Sequence, residues 1–116
     1  ASGVTSPEAE QAAQTASTRL AAGDTDGALA AIDDAMTRAP GNARYERLKA
    51  SIQVARGDNA GARDSLDAAV QHDHKNPAIY RERAAVLLTL NDDAGARRNM
   101  QAAARLQDGT APTSPP

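Results

Sequence analysis

The sequence contains no cysteine, phenylalanine or tryptophan, and its only aromatic residues are Tyr45 and Tyr80. Without cysteine, the chain has no disulfide, no thiol nucleophile and no cysteine-ligated metal. The scarcity of aromatic residues disfavours a β-sandwich or barrel, because such cores use many aromatic and β-branched side chains. Alanine supplies 28 of the 116 residues, which indicates closely packed helices. The composition therefore predicts a single all-α domain.

The chain also lacks a strong charge of either sign and a long apolar run. Its net charge is −2, which argues against nucleic acid as a partner. No apolar run approaches the length that spans a membrane, so membrane insertion is not predicted. No signal peptide is visible at the N-terminus, and the sequence leaves the compartment unknown.

Residue types recur along the chain with a constant 34-residue period. Gly57-Asp58 matches Gly23-Asp24 before it and Asn91-Asp92 after it. Further columns in the same register are Gly27, Gly61 and Gly95; Ala28, Ala62 and Ala96; Ala35, Ala69 and Ala103; Ala16, Ala50 and Ala84; and Ile32, Leu66 and Met100. A period of this length is typical of stacked supersecondary units.

Start and stop signals divide each repeat into two helices, A and B. Proline follows a capping residue at Ser6-Pro7 and Asn76-Pro77, which predicts helix starts. Gly23, Gly57 and Asn91 predict helix ends, because they accept the left-handed backbone conformation. The predicted helices span about 7–22, 25–39, 43–56, 59–73, 77–90 and 93–107, with Asp24 or Thr25 as the cap of the second. The predicted inner faces of the A helices are Ala12, Ala16 and Leu20; Tyr45, Leu48, Ile52 and Ala55; and Tyr80, Ala84, Leu87 and Leu88.

Each B helix carries a glycine in its first turn, at Gly27, Gly61 and Gly95. A glycine inside a helix costs about 1 kcal/mol relative to alanine. Glycine at this position in all three units predicts a close contact between helices. The alternative is that the glycine was retained when the repeat was duplicated and has no structural role.

The 34-residue helix–turn–helix unit resembles the tetratricopeptide repeat. The three alanine columns that begin at Ala16, Ala28 and Ala35 match the small residues of that motif. The closing proline is present as Pro40, but His74 and Asp108 replace it in the other two units. The resemblance implies an all-α fold, a right-handed α-solenoid of three helix-turn-helix repeats with six helices. The expected organisation is a mobile lead-in (1–6), a domain (7–107) with repeats of about 9–42, 43–76 and 77–107, and a disordered proline-rich tail (108–116).

In this family the A helices line a concave groove that holds an extended peptide or a partner helix. Matching repeat positions place these residues in the groove: Gln14, Ser17, Arg44, Arg47, Ser51 and Arg81. Arg44, Arg47 and Arg81 predict a basic strip, and the planar fork of arginine suits carboxylates. An acidic peptide is therefore one expectation, and a merely solvated arginine face is the other. The asparagines of the family's carboxylate clamp are missing, since Gln14, Leu48, Ser51 and Ala85 stand there.

A second surface is expected at the C-terminal end of the array. After Leu106 the chain passes into the proline-rich tail, so no further helix is expected to cover the third repeat. The residues expected on this exposed end are Val86, Leu90, Met100 and Leu106. Summed charges of −3, +1 and +2 for the three repeats also permit head-to-tail association, so a homodimer is another expectation.

Chemistry other than binding is not predicted. His72 and His74 lie two residues apart, so they do not share a helix face, and neither a third histidine nor a cysteine exists to complete a metal site. They are interpreted as solvated residues near a helix C-terminus. The glycines form no phosphate-binding loop, and capping explains many of the carboxylates. The sequence therefore predicts no enzyme and no cofactor.

The resemblance implies a protein–protein interaction scaffold, an adaptor or chaperone-like assembly factor in bacteria, in the cytoplasm or the periplasm and cell envelope. The alternative is a structural module of a larger envelope or secretion assembly, which contacts its neighbours through the third repeat or associates with itself. Both rest on analogy with the fold.

Overall fold

Residues 5–109 are described by a computed structural model and form three helical hairpins. The helices are α1 (Pro7–Ala21), α2 (Thr25–Arg38), α3 (Ala43–Ala55), α4 (Asn59–His72), α5 (Pro77–Thr89) and α6 (Asp93–Gln107). Helices α1, α3 and α5 are the A helices, and α2, α4 and α6 are the B helices. Each A helix packs on its own B helix, and each of α2 and α4 packs on the next A helix. The predicted solenoid of three helix-turn-helix repeats is confirmed.

The predictions for the two ends of the chain extend beyond the described residues. Residues 1–4 and 110–116 lie outside the description, so most of the predicted lead-in and tail is not covered by it. Within the described part, Ser6 accepts a hydrogen bond from the Ala9 N–H at 3.1 Å and caps α1, as predicted.

All three B helices begin with the same local structure. An aspartate carboxylate accepts a hydrogen bond at 2.9 Å from the N–H of the glycine three residues later. The pairs are Asp24–Gly27, Asp58–Gly61 and Asp92–Gly95. A β-carbon on any of these glycines would meet the capping carboxylate before any other atom. The glycine column is therefore explained first by the cap. A β-carbon would next meet a side chain of the preceding A helix in two units, Arg19 at Gly27 and Gln53 at Gly61, so the predicted close contact between helices is also present there.

The A helices end in the left-handed conformation. Gly23 and Gly57 have φ values of 84° and 81°, and Asn91 replaces the glycine in the third unit with φ 65°. Asparagine is the residue that tolerates this conformation best after glycine, because its short polar side chain can hydrogen-bond locally. The predicted ends of α1, α3 and α5 are confirmed.

The core lies mainly between successive units, because a single pair of helices is too small to bury its apolar face. One cluster contains Ile32 and Ala35 of α2 together with Tyr45 and Ile52 of α3. The next cluster contains the equivalent Leu66 of α4 together with Ile79 and Val86 of α5. A third, smaller cluster joins α5 to α6 within the last unit. The unit-to-unit interfaces therefore supply most of the buried large side chains.

Three positions predicted for the inner faces of α3 and α5 are assigned wrongly. Ile79, not Tyr80, is fully buried, and it occupies the repeat position of the buried Tyr45 in the second unit. Tyr80 is only partly buried, and its hydroxyl donates to the His74 carbonyl at 2.8 Å. Ala55 and Leu88 are exposed. In the third unit the helix rotation buries Ile79, one residue before the predicted Tyr80.

His72 ties α4 to α3 and is not simply solvated. Its Nδ1 lies 2.9 Å from Oε1 of Glu46, whose side chain is buried. Buried carboxylates are costly unless they have a polar partner. His72 is exposed in the last turn of α4, as predicted, but its ring also contacts Glu46, because the α3–α4 packing places that carboxylate against it.

Candidate binding groove on the A helices

The A helices lie side by side and form two neighbouring depressions on one face. The first depression lies between α1 and α3 and has a volume of about 150 Å³. Its lining residues are Glu10, Ala13, Gln14, Ser17, Arg44, Tyr45 and Leu48. The second depression lies between α3 and α5 and has a volume of about 310 Å³. Its lining residues are Arg47, Ala50, Ser51, Val54, Asn59, Leu66, Glu82, Ala85, Val86 and Thr89.

Glu10 is the centre of the first depression. Its Oε2 accepts hydrogen bonds from Arg44 Nη2 at 2.8 Å, from Thr5 Oγ1 at 2.9 Å and from the Tyr45 hydroxyl. These bonds, that of Tyr45 first, lower the pKa of Glu10 from 4.5 to about 2. Burial, and then the bond to Glu10, raise the pKa of Tyr45. The first depression is therefore occupied by its own polar network.

A two-pronged ion pair forms one wall of the second depression. Arg47 Nε lies 2.9 Å from Glu82 Oε1, and Nη2 lies 2.7 Å from Oε2. The hydrogen bonds to Glu82 raise the pKa of Arg47. Parallel bonds of this kind fix the orientation of both side chains. The pair joins α3 to α5 and leaves the guanidinium with little unmet charge.

Most of the remaining lining of the second depression is apolar or weakly polar. Val54 is 46% exposed, although its neighbours Ala50 and Val86 are buried. Ser51 and Thr89 lie at the edge, and their hydroxyls donate to main-chain carbonyls one turn earlier. An exposed valine beside small side chains can receive an apolar group from a ligand. The second depression is therefore the better candidate for a binding site.

The six residues predicted for the groove divide into three sets. Gln14, Ser17 and Arg44 line the first depression, and Arg47 and Ser51 line the second. Arg81 lines neither depression, and its Nη1 donates to Gln107 Oε1 of α6 at 3.0 Å.

Two of the three arginines predicted as a basic strip are already paired. Arg44 and Arg47 are each paired with a carboxylate from a neighbouring A helix, at Glu10 and Glu82. The pairing of Arg44 with Glu10 could have been predicted from the sequence, since the two residues occupy equivalent positions in successive units. The sequence analysis also did not predict Val54 for the groove, because its repeat column of Leu20, Val54 and Leu88 is not among the groove positions that the resemblance gives.

Two of the four residues predicted for the exposed end of the array lie elsewhere. Val86 is buried in the interface with the second unit, and Leu90 packs against the same cluster. Met100 is 49% exposed and Leu106 is partly buried. Val86 and Leu90 point back toward α3 and α4 because α5 packs on the second unit along that side.

Two further features of residues 5–109 limit the chemistry of the described part. It contains no group of three or more histidine, cysteine, aspartate or glutamate side chains arranged to hold a metal ion. It also contains no helix whose length and apolar character would allow it to cross a membrane. In that range the arrangement offers surfaces for binding and no such metal site.

Comparison with known proteins finds likeness in structure and none in sequence. No family model matches the chain. No curated protein matches it by sequence search. Solved structures, by contrast, superimpose over nearly its whole length.

Three solved structures illustrate this likeness. The TPR domain of Sgt2 from Aspergillus fumigatus has a TM-score of 0.86 at 18% identity, covering 93% of this chain and 72% of that one. The first TPR domain of Spaghetti (RPAP3), solved with an HSP90 peptide, has a TM-score of 0.84 at 19% identity, covering 94% and 86%. The type III secretion chaperone SycD of Yersinia enterocolitica, solved with a peptide of the translocator YopD, has a TM-score of 0.82 at 20% identity, covering 88% and 78%.

These structures share with the chain the stacked helix pairs that its 34-residue period predicts. The architecture of residues 5–109, the confirmed caps and helix ends, and the superpositions all agree. The chain therefore has the tetratricopeptide repeat fold, in three repeats that each consist of an A helix and a B helix.

Proposed function

We propose that this protein is a peptide-binding scaffold and that the second depression, between α3 and α5, receives an apolar side chain of the bound segment. The observation that carries the proposal is the exposed Val54 in a groove whose other walls are mostly apolar or weakly polar side chains, together with the Arg47–Glu82 ion pair. Two of the solved structures similar to this chain contain a bound peptide, from HSP90 and from YopD. An adaptor or chaperone-like role fits such a groove.

The charges favour an apolar anchor over an acidic one. Arg44 and Arg47 already contact Glu10 and Glu82, so an acidic peptide would have to displace an internal carboxylate. An apolar side chain over Val54 displaces only water, and burying it contributes about 25 cal/mol per Å² of apolar area. The ligand that we propose is an extended segment with one apolar anchor and a polar backbone edge facing Ser51 and Thr89.

The experiment that tests this proposal is a selection of displayed random peptides on the full chain. Binding of the selected peptides is then measured by fluorescence anisotropy with wild type, Val54→Asp and Leu88→Asp. Leu88 is the matched control, because it occupies the position equivalent to Val54 in the third unit and is 56% exposed, yet it does not line the groove. We expect Val54→Asp to weaken binding at least tenfold and Leu88→Asp to leave it unchanged.

Two results would contradict the proposal. One is a selection that yields no peptide binding above background. The other is a set of peptides whose affinity is equal for wild type and Val54→Asp, which would move the site off the A helices. Amide chemical shifts of Ser51 and Thr89 on peptide addition give an independent readout, since both residues border the depression.

A further inference from the structure

The exposed large apolar side chains of residues 5–109 fall on two surfaces. They are Val54, Leu88 and Met100. Val54 belongs to the groove described above, whereas Leu88 and Met100 lie on the third unit. An exposed apolar pair on one end of a stack of repeats identifies a surface that can accept another element.

Met100 occupies a position that the two earlier units bury. Its equivalents in the second and first units are Leu66, 2% exposed, and Ile32, 0% exposed. In each case the A helix of the following unit supplies the neighbouring buried side chains. Tyr45 and Ile52 share a cluster with Ile32, and Ile79 and Val86 share one with Leu66. Met100 is thus the third member of a series of sites that each receive a helix.

Arg81 is a charged residue in the same situation as Met100, because its equivalent in the second unit contacts the following A helix. It is the equivalent in the third unit of Arg47, whose guanidinium is held by Glu82 of the following A helix at 2.7 and 2.9 Å. Arg81 is exposed and donates instead to the neutral amide of Gln107. A glutamate placed over Arg81 as Glu82 is placed over Arg47 would gain a charge-assisted pair.

The first two units also have an aspartate on the B helix that pairs with a cation of the following A helix, and the third unit lacks this aspartate. Lys49 lies 2.9 Å from Asp33, and Arg83 lies 3.0 Å from Asp67, so α3 and α5 each bring a cation to the B helix before them. The equivalent of those aspartates in the third unit is Gln101. A helix that docks on the third unit therefore needs no cation at that position.

We propose that the end face formed by Arg81, Leu88, Met100 and Gln101 binds a helix of a partner protein. This helix carries the pattern apolar-x-x-Glu-x-x-x-apolar, the spacing of Ile79, Glu82 and Val86 in α5. The glutamate pairs with Arg81, and the two apolar residues cover Met100. The proposed helix lies on the third unit as α5 lies on the second unit, since the end face consists of the equivalent positions.

The same register disfavours a second copy of this chain stacked head to tail. In α1 the residues equivalent to Ile79, Glu82 and Val86 are Gln11, Gln14 and Thr18. All three are polar, uncharged and exposed. Stacking α1 of one copy on the end face of another would place amides and a hydroxyl over Met100 and offer Arg81 no carboxylate.

The test uses a synthetic peptide of residues 76–91 of this chain, which contains the required pattern, labelled for fluorescence anisotropy and titrated with the full protein. We expect saturable binding that Met100→Asp or Leu88→Asp weakens at least tenfold. Val54→Asp is the matched control and leaves this binding unchanged, because Val54 lies in the groove. Met100 and Leu88 are exposed, so both variants keep the fold, which circular dichroism verifies.

Exchanging the charges of Arg81 in the protein and Glu82 in the peptide distinguishes two binding modes. One is docking of the peptide on the end face, and the other is insertion of the peptide in the place of α5. Arg81→Glu weakens binding of the peptide, and Glu82→Lys in the peptide restores binding to that variant. Three results would overturn the proposal: no binding at about millimolar protein, equal binding by wild type and Met100→Asp, or no rescue by the exchange. Self-association of the unlabelled chain that Met100→Asp abolishes in sedimentation would also overturn it, and would assign the face to a second copy.

Discussion

Glu10 shows how one side chain decides the character of the first depression. It accepts bonds from Arg44, Thr5 and Tyr45, which join α1, α3 and the segment before α1. The carboxylate is half exposed, so the pair with Arg44 by itself contributes little. The Tyr45 hydroxyl matters more, because the ring is buried and its polar end needs a partner. The first depression is therefore a structural network before it is a ligand site.

The lowered pKa of Glu10 predicts a loss of stability in acid. Folding favours the ionised carboxylate, so its contribution is complete above about pH 4.5 and disappears as the pH falls from 4.5 to about 2. Glu10→Gln is expected to lower the midpoint of urea unfolding at pH 7, by an amount that shrinks toward pH 2. Glu8→Gln is the control, because Glu8 lies in the same first turn of α1 without these partners. A deficit of Glu10→Gln that stays constant from pH 7 to pH 2.5 would contradict the assignment.

At the level of helices, each hairpin has local interactions that fix where its two helices begin and end. The Asp–Gly caps fix the start of every B helix, and left-handed residues fix the end of every A helix. The second hairpin has an additional tie, the contact of His72 with the buried Glu46. The equivalent pairs are Ala12 and Arg38 in the first unit and Tyr80 and Leu106 in the third. This contact is therefore a feature of the second unit and not of the repeat.

Removing His72 is expected to leave Glu46 with a buried carboxylate that has lost this partner. His72→Leu should lower the free energy of unfolding by about 1–3 kcal/mol, the cost of an unsatisfied buried polar group. His74→Leu is the control, because its side chain is exposed and only its carbonyl is used by Tyr80. We expect that control to change stability by less than about 0.5 kcal/mol.

The double variant Glu46→Leu/His72→Leu sharpens the measurement by urea unfolding. Replacing both polar groups removes the unmet carboxylate, so much of the lost stability should return. Equal stability of wild type and His72→Leu would show that the contact does not support α3 and α4.

The whole molecule is a line of three units in which packing runs between neighbours. The interfaces between units join α2 to α3 and α4 to α5, and each contains one cluster of apolar residues. Stability in such arrays is close to a sum of unit and interface contributions. A substitution in one interface should therefore lower mainly the stability of the two units that the interface joins.

Ile79→Ala tests this view. It removes a fully buried side chain from the interface between the second and third units, and we expect a loss of about 2–5 kcal/mol. Amide hydrogen exchange should accelerate more in 77–107 than in 7–38. Ile32→Ala, which changes the other interface, should reverse the gradient. Equal acceleration over the whole chain in both variants would show that the three units unfold only as one.

Much of the fold was predictable because its signals are local. The starts at Ser6-Pro7 and Asn76-Pro77 and the ends at Gly23, Gly57 and Asn91 depend on neighbouring residues and on backbone geometry. The 34-residue period can be read directly along the chain. The candidate site was predictable only in part. Repeat position placed Arg44, Arg47 and Ser51 on the groove, which they line. It also placed Arg81 there, which lines neither depression, and it did not reveal Val54 as the exposed apolar residue.

The sequence by itself determined that the chain forms three pairs of helices and where each helix starts and ends. Only the tertiary structure decided that Ile79 is buried while Tyr80 is not, that Glu10 and Glu82 neutralise two groove arginines, and that Met100 is exposed. The physical reason is that periodicity defines a face of a helix to within about one residue. Ion pairing and burial depend on the remaining rotation and on which unit lies beside each side chain.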